Sequence, residues 1–134
     1  MELGTFYING EFVTPKGTEK IALINPATEE EIGFVVAGNE EDVNLAVEAA
    51  NKAFLQASSL SLEERKTILT EILEGMAARR DDFAKAISEE MGAPLKMAAS
   101  AQYGAGTIHF KNTLAIIDQF KFTEEHGNIT LNRL

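Results

Sequence analysis

The sequence predicts an α+β fold, with short strands and turns first and about four helices after them. Three observations predict it. Apolar residues over 5–37 follow a period of two between turn signals. From Asn39 onward the apolar period changes to about 3.6. Capping and stop residues then divide the helical part, notably Ser61 with Glu64 and Gly92 with Pro94.

The elements follow in order. Thr5-Phe6-Tyr7-Ile8 and Glu11-Phe12-Val13 flank Asn9-Gly10, which predicts a hairpin because both turn positions need φ > 0. Pro15 to Thr18 reads as a loop, and Lys20 to Ile24 as a third strand ended by Asn25-Pro26. Glu31 to Ala37 forms a fourth strand ending at Gly38. Asn39 is a good N-cap, with Glu40, Glu41 and Asp42 in the first turn where negative charge suits the helix dipole. Val43, Ala46, Val47, Ala50 and Phe54 share one face of that helix. After Ser58-Ser59-Leu60, the Ser61/Glu64 capping box starts a helix expected to turn Ile68, Leu69, Ile72, Leu73 and Met76 inward. Asp81 is the expected cap of a shorter helix carrying Phe83, Ala84 and Ile87, with Gly92 as its stop. A long helix is expected from Leu95 to about Phe120, weakened in its middle by Gly104 and Gly106. Residues 128–134 alternate as a strand.

Composition narrows the function classes. At 134 residues and 45% hydrophobic content, one domain burying roughly two-thirds of its unfolded surface is expected. The net charge of −9 argues against nucleic acid and anionic membranes as partners. No apolar run approaches the ~20 residues of a membrane span. Acidic Glu2 without a basic-then-apolar pattern predicts no signal peptide. The absence of cysteine excludes disulfides and suits a cytoplasmic protein. His109 and His126 lack partners at metal-ligand spacing.

The search for chemistry returns little. Ser58, Ser59, Ser61 and Ser88 read as caps, linker or helix surface, and the paired acids Glu63-Glu64, Glu89-Glu90 and Glu124-Glu125 as solvated faces. No G-x-G-x-x-G occurs, and Gly104-Ala105-Gly106 lies within a helix where no phosphate grip forms. His109 reads as a surface or packing residue.

A resemblance goes further. Tyr7-Ile8-Asn9-Gly10-Glu11-Phe12, Asn25-Pro26-Ala27-Thr28 through Ile32, Glu41-Asp42-Val43 with Ala46-Val47 and Ala53-Phe54, and Ala84 to Glu90 with Gly92-Ala93-Pro94 stand in order over nearly the whole chain. In that order and spacing the sequence resembles the N-terminal quarter of the NAD(P)-dependent aldehyde dehydrogenases. The resemblance implies a fragment of an α/β fold. Residues 1–127 would be the first part of a Rossmann-type NAD-binding domain, and 128–134 the start of a strand that bridges subunits in a homo-oligomer. It implies that Tyr103, Gly106, Thr107 and Phe110 border a substrate tunnel, and that Leu23 or Ile24, through a carbonyl, and Glu90 lie near a structural cation. It further implies that the complete enzyme oxidises an aldehyde to a carboxylic acid with NAD or NADP. The catalytic asparagine, the cofactor-gripping lysine, the general-base glutamate and the nucleophilic cysteine would all follow Leu134. These residues alone are therefore expected to bind no cofactor and to be inactive. The alternatives are a non-catalytic α+β interaction or oligomerisation module, and an unrelated α+β binding domain.

Overall fold

The computed structural model describes residues 2–132. Strand β1 (Glu2–Leu3) pairs in parallel with β5 (Glu31–Val36), which pairs antiparallel with β4 (Lys20–Ile24), giving the order β1-β5-β4. The register shifts between Leu23 and Ile24, where the chain leaves the ladder for the Asn25-Pro26 turn. There Asn25 Oδ1 accepts the Ala27 amide at 2.9 Å, so the side chain closes the turn that proline opens.

The predicted hairpin forms. Strands β2 (Phe6–Ile8) and β3 (Glu11–Val13) pair with Tyr7 opposite Phe12. Asn9 and Gly10 take φ of 55° and 84°, the pattern of a type I′ turn. The Tyr7 and Phe12 rings meet edge to face at 5.1 Å on an open surface.

About four helices are expected, and the first two start at the side-chain caps that the sequence predicts. In α1 (Glu40–Ser58), Asn39 accepts the amides of Glu41 and Asp42 while Asp42 accepts the Asn39 amide, a complete capping box. In α2 (Leu62–Ala78), Ser61 and Glu64 make the second. Helix α3 (Arg80–Met91) departs from expectation: Arg79 rather than Asp81 is its N-cap, without a side-chain cap bond, and Asp81 and Asp82 lie inside its first turn. Gly92 ends it in the left-handed region at φ 70°, as expected.

The long helix expected from Leu95 to Phe120 is instead three joined pieces. A short α4 (Leu95–Met97) runs into a π-helical turn over Ala98–Gln102, then α5 (Tyr103–Ile116) and a 3-10 turn at Ile117–Gln119. The cause lies in one donor. The Tyr103 amide bonds to the Ala98 carbonyl instead of that of Ala99. Arg80 of α3 takes the freed Ala99 carbonyl with two bonds of 3.1 and 2.8 Å.

A second hairpin, β6 (Thr123–His126) with β7 (Ile129–Asn132), closes the described chain. The tail strand therefore has a local partner that sequence reading did not supply. Residues 133 and 134 of the predicted strand lie outside the described residues. Gly127 opens the turn at φ 62°.

Burial is where expectation and structure differ most. The buried apolar residues are Ala84, Ala93 and Ala98, with Ile87 and Ala99 packed beside them. The chain exposes 10159 Å², whereas a compact monomer of its mass exposes about 6,900 Å². It buries about half of its extended-chain surface rather than two-thirds. The apolar stripe of α1 is open, with Val43 at 59%, Val47 at 52% and Phe54 at 66% exposure. On α2, Leu69, Leu73 and Met76 are half-buried, while Ile68 and Ile72 face outward. The periodicity located the apolar faces. On α1 and on part of α2 those faces stand open among the described residues.

Candidate functional site

The four residues expected to border a tunnel sit on one side of α5. Tyr103, Gly106, Thr107 and Phe110 follow the spacing that places helix residues above one another. That side packs on α2 and α3. The Tyr103 ring lies 6.0 Å from that of Phe83 and 5.9 Å from the Arg80 guanidinium. Thr107 is buried, its hydroxyl donating to the Gly104 carbonyl at 3.2 Å. Phe110 is half-buried and Gly106 exposed. A methyl group at Gly106 would meet only Met76 Cε, at 3.7 Å. Gly106→Ala is therefore expected to stabilise the chain by about 0.5–1 kcal/mol, read from urea denaturation. A loss of stability would mean that this face needs the bare backbone.

An open groove of about 460 Å³ runs along α5, lined by the small residues Ala101, Gly104 and Ala105 together with Thr107, Ile108 and Lys111. At the π turn, Gln102 Oε1 is buried with no hydrogen-bond partner among the described residues.

The candidate cation positions lie at neighbouring segments. Ile24 ends β4, and Glu90 is exposed on the last turn of α3. The segments meet where Gly92 faces Pro26: a methyl group at Gly92 would come within 2.8 Å of Pro26 Cγ. No group of three or more His, Cys, Asp or Glu among the described residues is arranged to hold a metal ion. His109 is exposed, and its carbonyl accepts the Thr113 hydroxyl at 2.9 Å. His126 lies 3.2 Å from Glu124.

The residue that sequence reading missed is Asp42. It is 4% exposed and accepts three backbone amides, from Lys16 at 2.8 Å, Gly17 at 2.9 Å and Asn39 at 3.0 Å. Amide donation from Lys16 and Asn39, helped by Gly17 and the Lys16 charge, holds its carboxyl below the usual carboxylate range, against the opposing effect of burial. The signal was present as Asn39 followed three residues later by Asp42, the spacing of a capping box. The 14–17 strap crossing it is not a local feature and has no sequence signature.

Asp42 and Asn39 also bear on nucleotide binding. A strand feeding a helix N-terminus is the usual seat for a dinucleotide phosphate, and β5 into α1 has that order. Here Asn39 occupies the amides of Glu41 and Asp42. Beside them, Asp42 adds a negative charge and Gly38 is crowded by the Phe6 ring. This junction does not fit a phosphate.

The aldehyde dehydrogenase family model matches residues 12–130. Relatives in Staphylococcus epidermidis and Staphylococcus haemolyticus, both provisionally named as aldehyde dehydrogenases, are 43% and 42% identical over 91% and 95% of this chain. The chain spans about a quarter of their length, 26% and 27% respectively. A solved aldehyde dehydrogenase from Bartonella henselae superposes with a TM-score of 0.91 at 37% identity, over 96% of this chain and 27% of that one. A variant of aldehyde dehydrogenase C from Pseudomonas syringae, solved with NAD+ and octanal, gives 0.91 at 34% identity, over 96% and 26%. The strands, the helices and their placement match the N-terminal part of those enzymes, and the chain belongs to the aldehyde dehydrogenase family.

Proposed function

We propose that these residues serve as the N-terminal scaffold of an NAD(P)-dependent aldehyde dehydrogenase, and that the complete enzyme oxidises an aldehyde to a carboxylic acid. The observation that carries this reading is the match of 96% of this chain to 27% of a solved family member, together with a sequence that holds no cysteine. A thiolate is the nucleophile that such an oxidation needs, and no residue here supplies one. The solved Pseudomonas relative, holding NAD+ and octanal, supports the nucleotide and substrate class.

On this reading, residues 1–127 belong to the NAD-binding domain, the α5 side carrying Tyr103 and Phe110 borders the substrate passage, and the tail strand from 128 joins subunits of a homo-oligomer. The cytoplasm suits a chain without cysteine. No described helix is long and apolar enough to cross a membrane.

The test is direct. The purified chain with acetaldehyde and NAD+ or NADP+ is expected to give no growth of nucleotide absorbance near 340 nm above the protein-free rate, and no saturable nucleotide binding by calorimetry. Turnover by these residues alone would overturn the reading. A second reading, a non-catalytic interaction module, is favoured by one observation, the open apolar face of α1.

A further inference from the structure

The first hairpin turns on Asn9 and Gly10, both exposed and both at positive φ. The last pair of its ladder is Ile8 with Glu11, so the Gly10 amide lies beyond the strand pairing. The Asn9 side chain makes no hydrogen bond to a described residue. A methyl group built on Gly10 would meet nothing within 4 Å.

This arrangement has a chemistry of its own. The side-chain carbonyl carbon of an asparagine is one ring closure away from the backbone nitrogen that follows it. Glycine in the next position leaves that approach unobstructed, because it carries no Cβ. Ring closure needs rotation about the Asn9 Cα–C bond, so the hairpin tip must open. Opening is shallow here. Strands β2 and β3 have three residues each, and an isolated two-stranded hairpin is marginally stable at best. The ring pair that braces it is itself open, with Tyr7 at 66% and Phe12 at 77% exposure.

We propose that Asn9 is a site of spontaneous deamidation, and that the product loosens the first hairpin from α1. The Gly10 nitrogen bonds to Asn9 Cγ, the Cγ–Nδ2 bond breaks, and the side-chain nitrogen leaves as ammonia with the proton that the Gly10 nitrogen gives up. The five-membered imide then takes up water at either carbonyl and opens to aspartate or isoaspartate. One water is consumed and one ammonia released, with no change of oxidation state.

The other asparagines lack one part or another. Asn25 precedes Pro26, which has no N–H to give up. Asn39 is engaged as the cap of α1. Asn44, Asn51 and Asn112 lie within α1 and α5, where the helix ladder holds the next amide. The Asn132 side chain takes the Thr123 hydroxyl at 3.1 Å. Asn128 is exposed in the turn of the second hairpin, but β-branched Ile129 follows it and crowds the attacking nitrogen.

The product changes the tip in two ways. Isoaspartate puts one extra carbon into the main chain of a two-residue turn whose twist fits its strands. Both products add a negative charge. Asn9 lines a cavity of about 400 Å³ between the hairpin and α1, together with Glu11, Asp42, Glu48, Lys16 and Lys52. Lys52 is already paired with Glu48 at 2.7 Å. A new carboxylate there joins three others and is repelled from α1.

The test follows the purified chain as it ages in warm buffer at neutral pH. Peptide mapping by mass spectrometry is expected to find aspartate and isoaspartate at residue 9 at least tenfold faster than at residue 128, which serves as the internal control. Equal rates at the two positions would overturn the proposal. So would an unchanged residue 9 in the chain while a free peptide of residues 5–14 deamidates, since the turn would then protect what it presents. The aged, more acidic form is next separated by anion exchange. Its amides at Ile8 and Glu11 are expected to exchange at least tenfold faster than in the fresh chain, with α2 and α3 unaffected. Unchanged exchange there would sink the claim that the hairpin loosens. Asn9→Gly removes the reactive side chain and tolerates the positive φ. This variant is expected to keep its hairpin exchange within twofold throughout ageing, and loosening at the same rate as the native chain would place the cause elsewhere.

Discussion

Gly17→Ala is expected to lower stability by about 3 kcal/mol and the Tm by about 10 °C. A methyl group at this position would lie 2.1 Å from the Ala37 carbonyl oxygen and 3.1 Å from both the Ala37 carbonyl carbon and the Asn39 amide nitrogen. These are backbone atoms of the segment joining β5 to α1, so no side chain can rotate away. The Ala37 amide is itself bonded to the Glu19 carbonyl at 2.8 Å, which ties the two segments together beside the close approach. The strap at 14–17 must therefore lift, and in lifting it removes the Lys16 and Gly17 amides from Asp42. Thermal denaturation followed by circular dichroism measures the loss. An unchanged Tm would show that the strap is not seated as described.

Asp42→Asn is expected to free the same strap by removing its acceptor. An asparagine side chain offers one oxygen where the carboxylate offers two, and turns an NH2 group toward backbone N–H donors. Amide exchange at Lys16, Gly17 and Asn39 is expected to rise at least tenfold, with α2 and α3 little affected. The native chain should also show an acid transition that the variant lacks. The folded-state pKa is depressed below the ordinary value of 3.8, so the contribution is complete above that value and is lost as pH falls through the lower folded-state value. The window thus lies below about pH 4. Exchange rates at these amides that are equal in both proteins at pH 7 would rule out the carboxylate as the anchor.

Much of this architecture is written locally. The Asn9-Gly10 turn, the two capping boxes and the Gly92 stop depend on residues within a few positions of one another, and each is legible from sequence. The π turn was not, because it needs Arg80 to reach across from another helix. The role of Asp42 was half legible: its cap was encoded nearby, its strap 25 residues away. The open stripe on α1 shows a different limit. Period and polarity say that Val43, Val47 and Phe54 form a buried-type face, yet all three are more than half exposed among the described residues. The candidate residues on α5 came from resemblance, since Tyr103, Gly106, Thr107 and Phe110 carry no chemistry that would distinguish them from a packing row.

The wide turn at Ala98–Gln102 has one more consequence. It holds one peptide unit more than a regular helix would need, which offsets the angular phase of everything after it by about 100° relative to everything before. Tyr103 meets Phe83 because of that offset. Removal of a single residue there, Ser100 for instance, would restore regular winding and swing the Leu95–Met97 stub about a quarter-turn around the axis. The aromatic row and its supporting guanidinium are in this sense aligned by a count, and a change of one in that count would misalign them without altering any side chain.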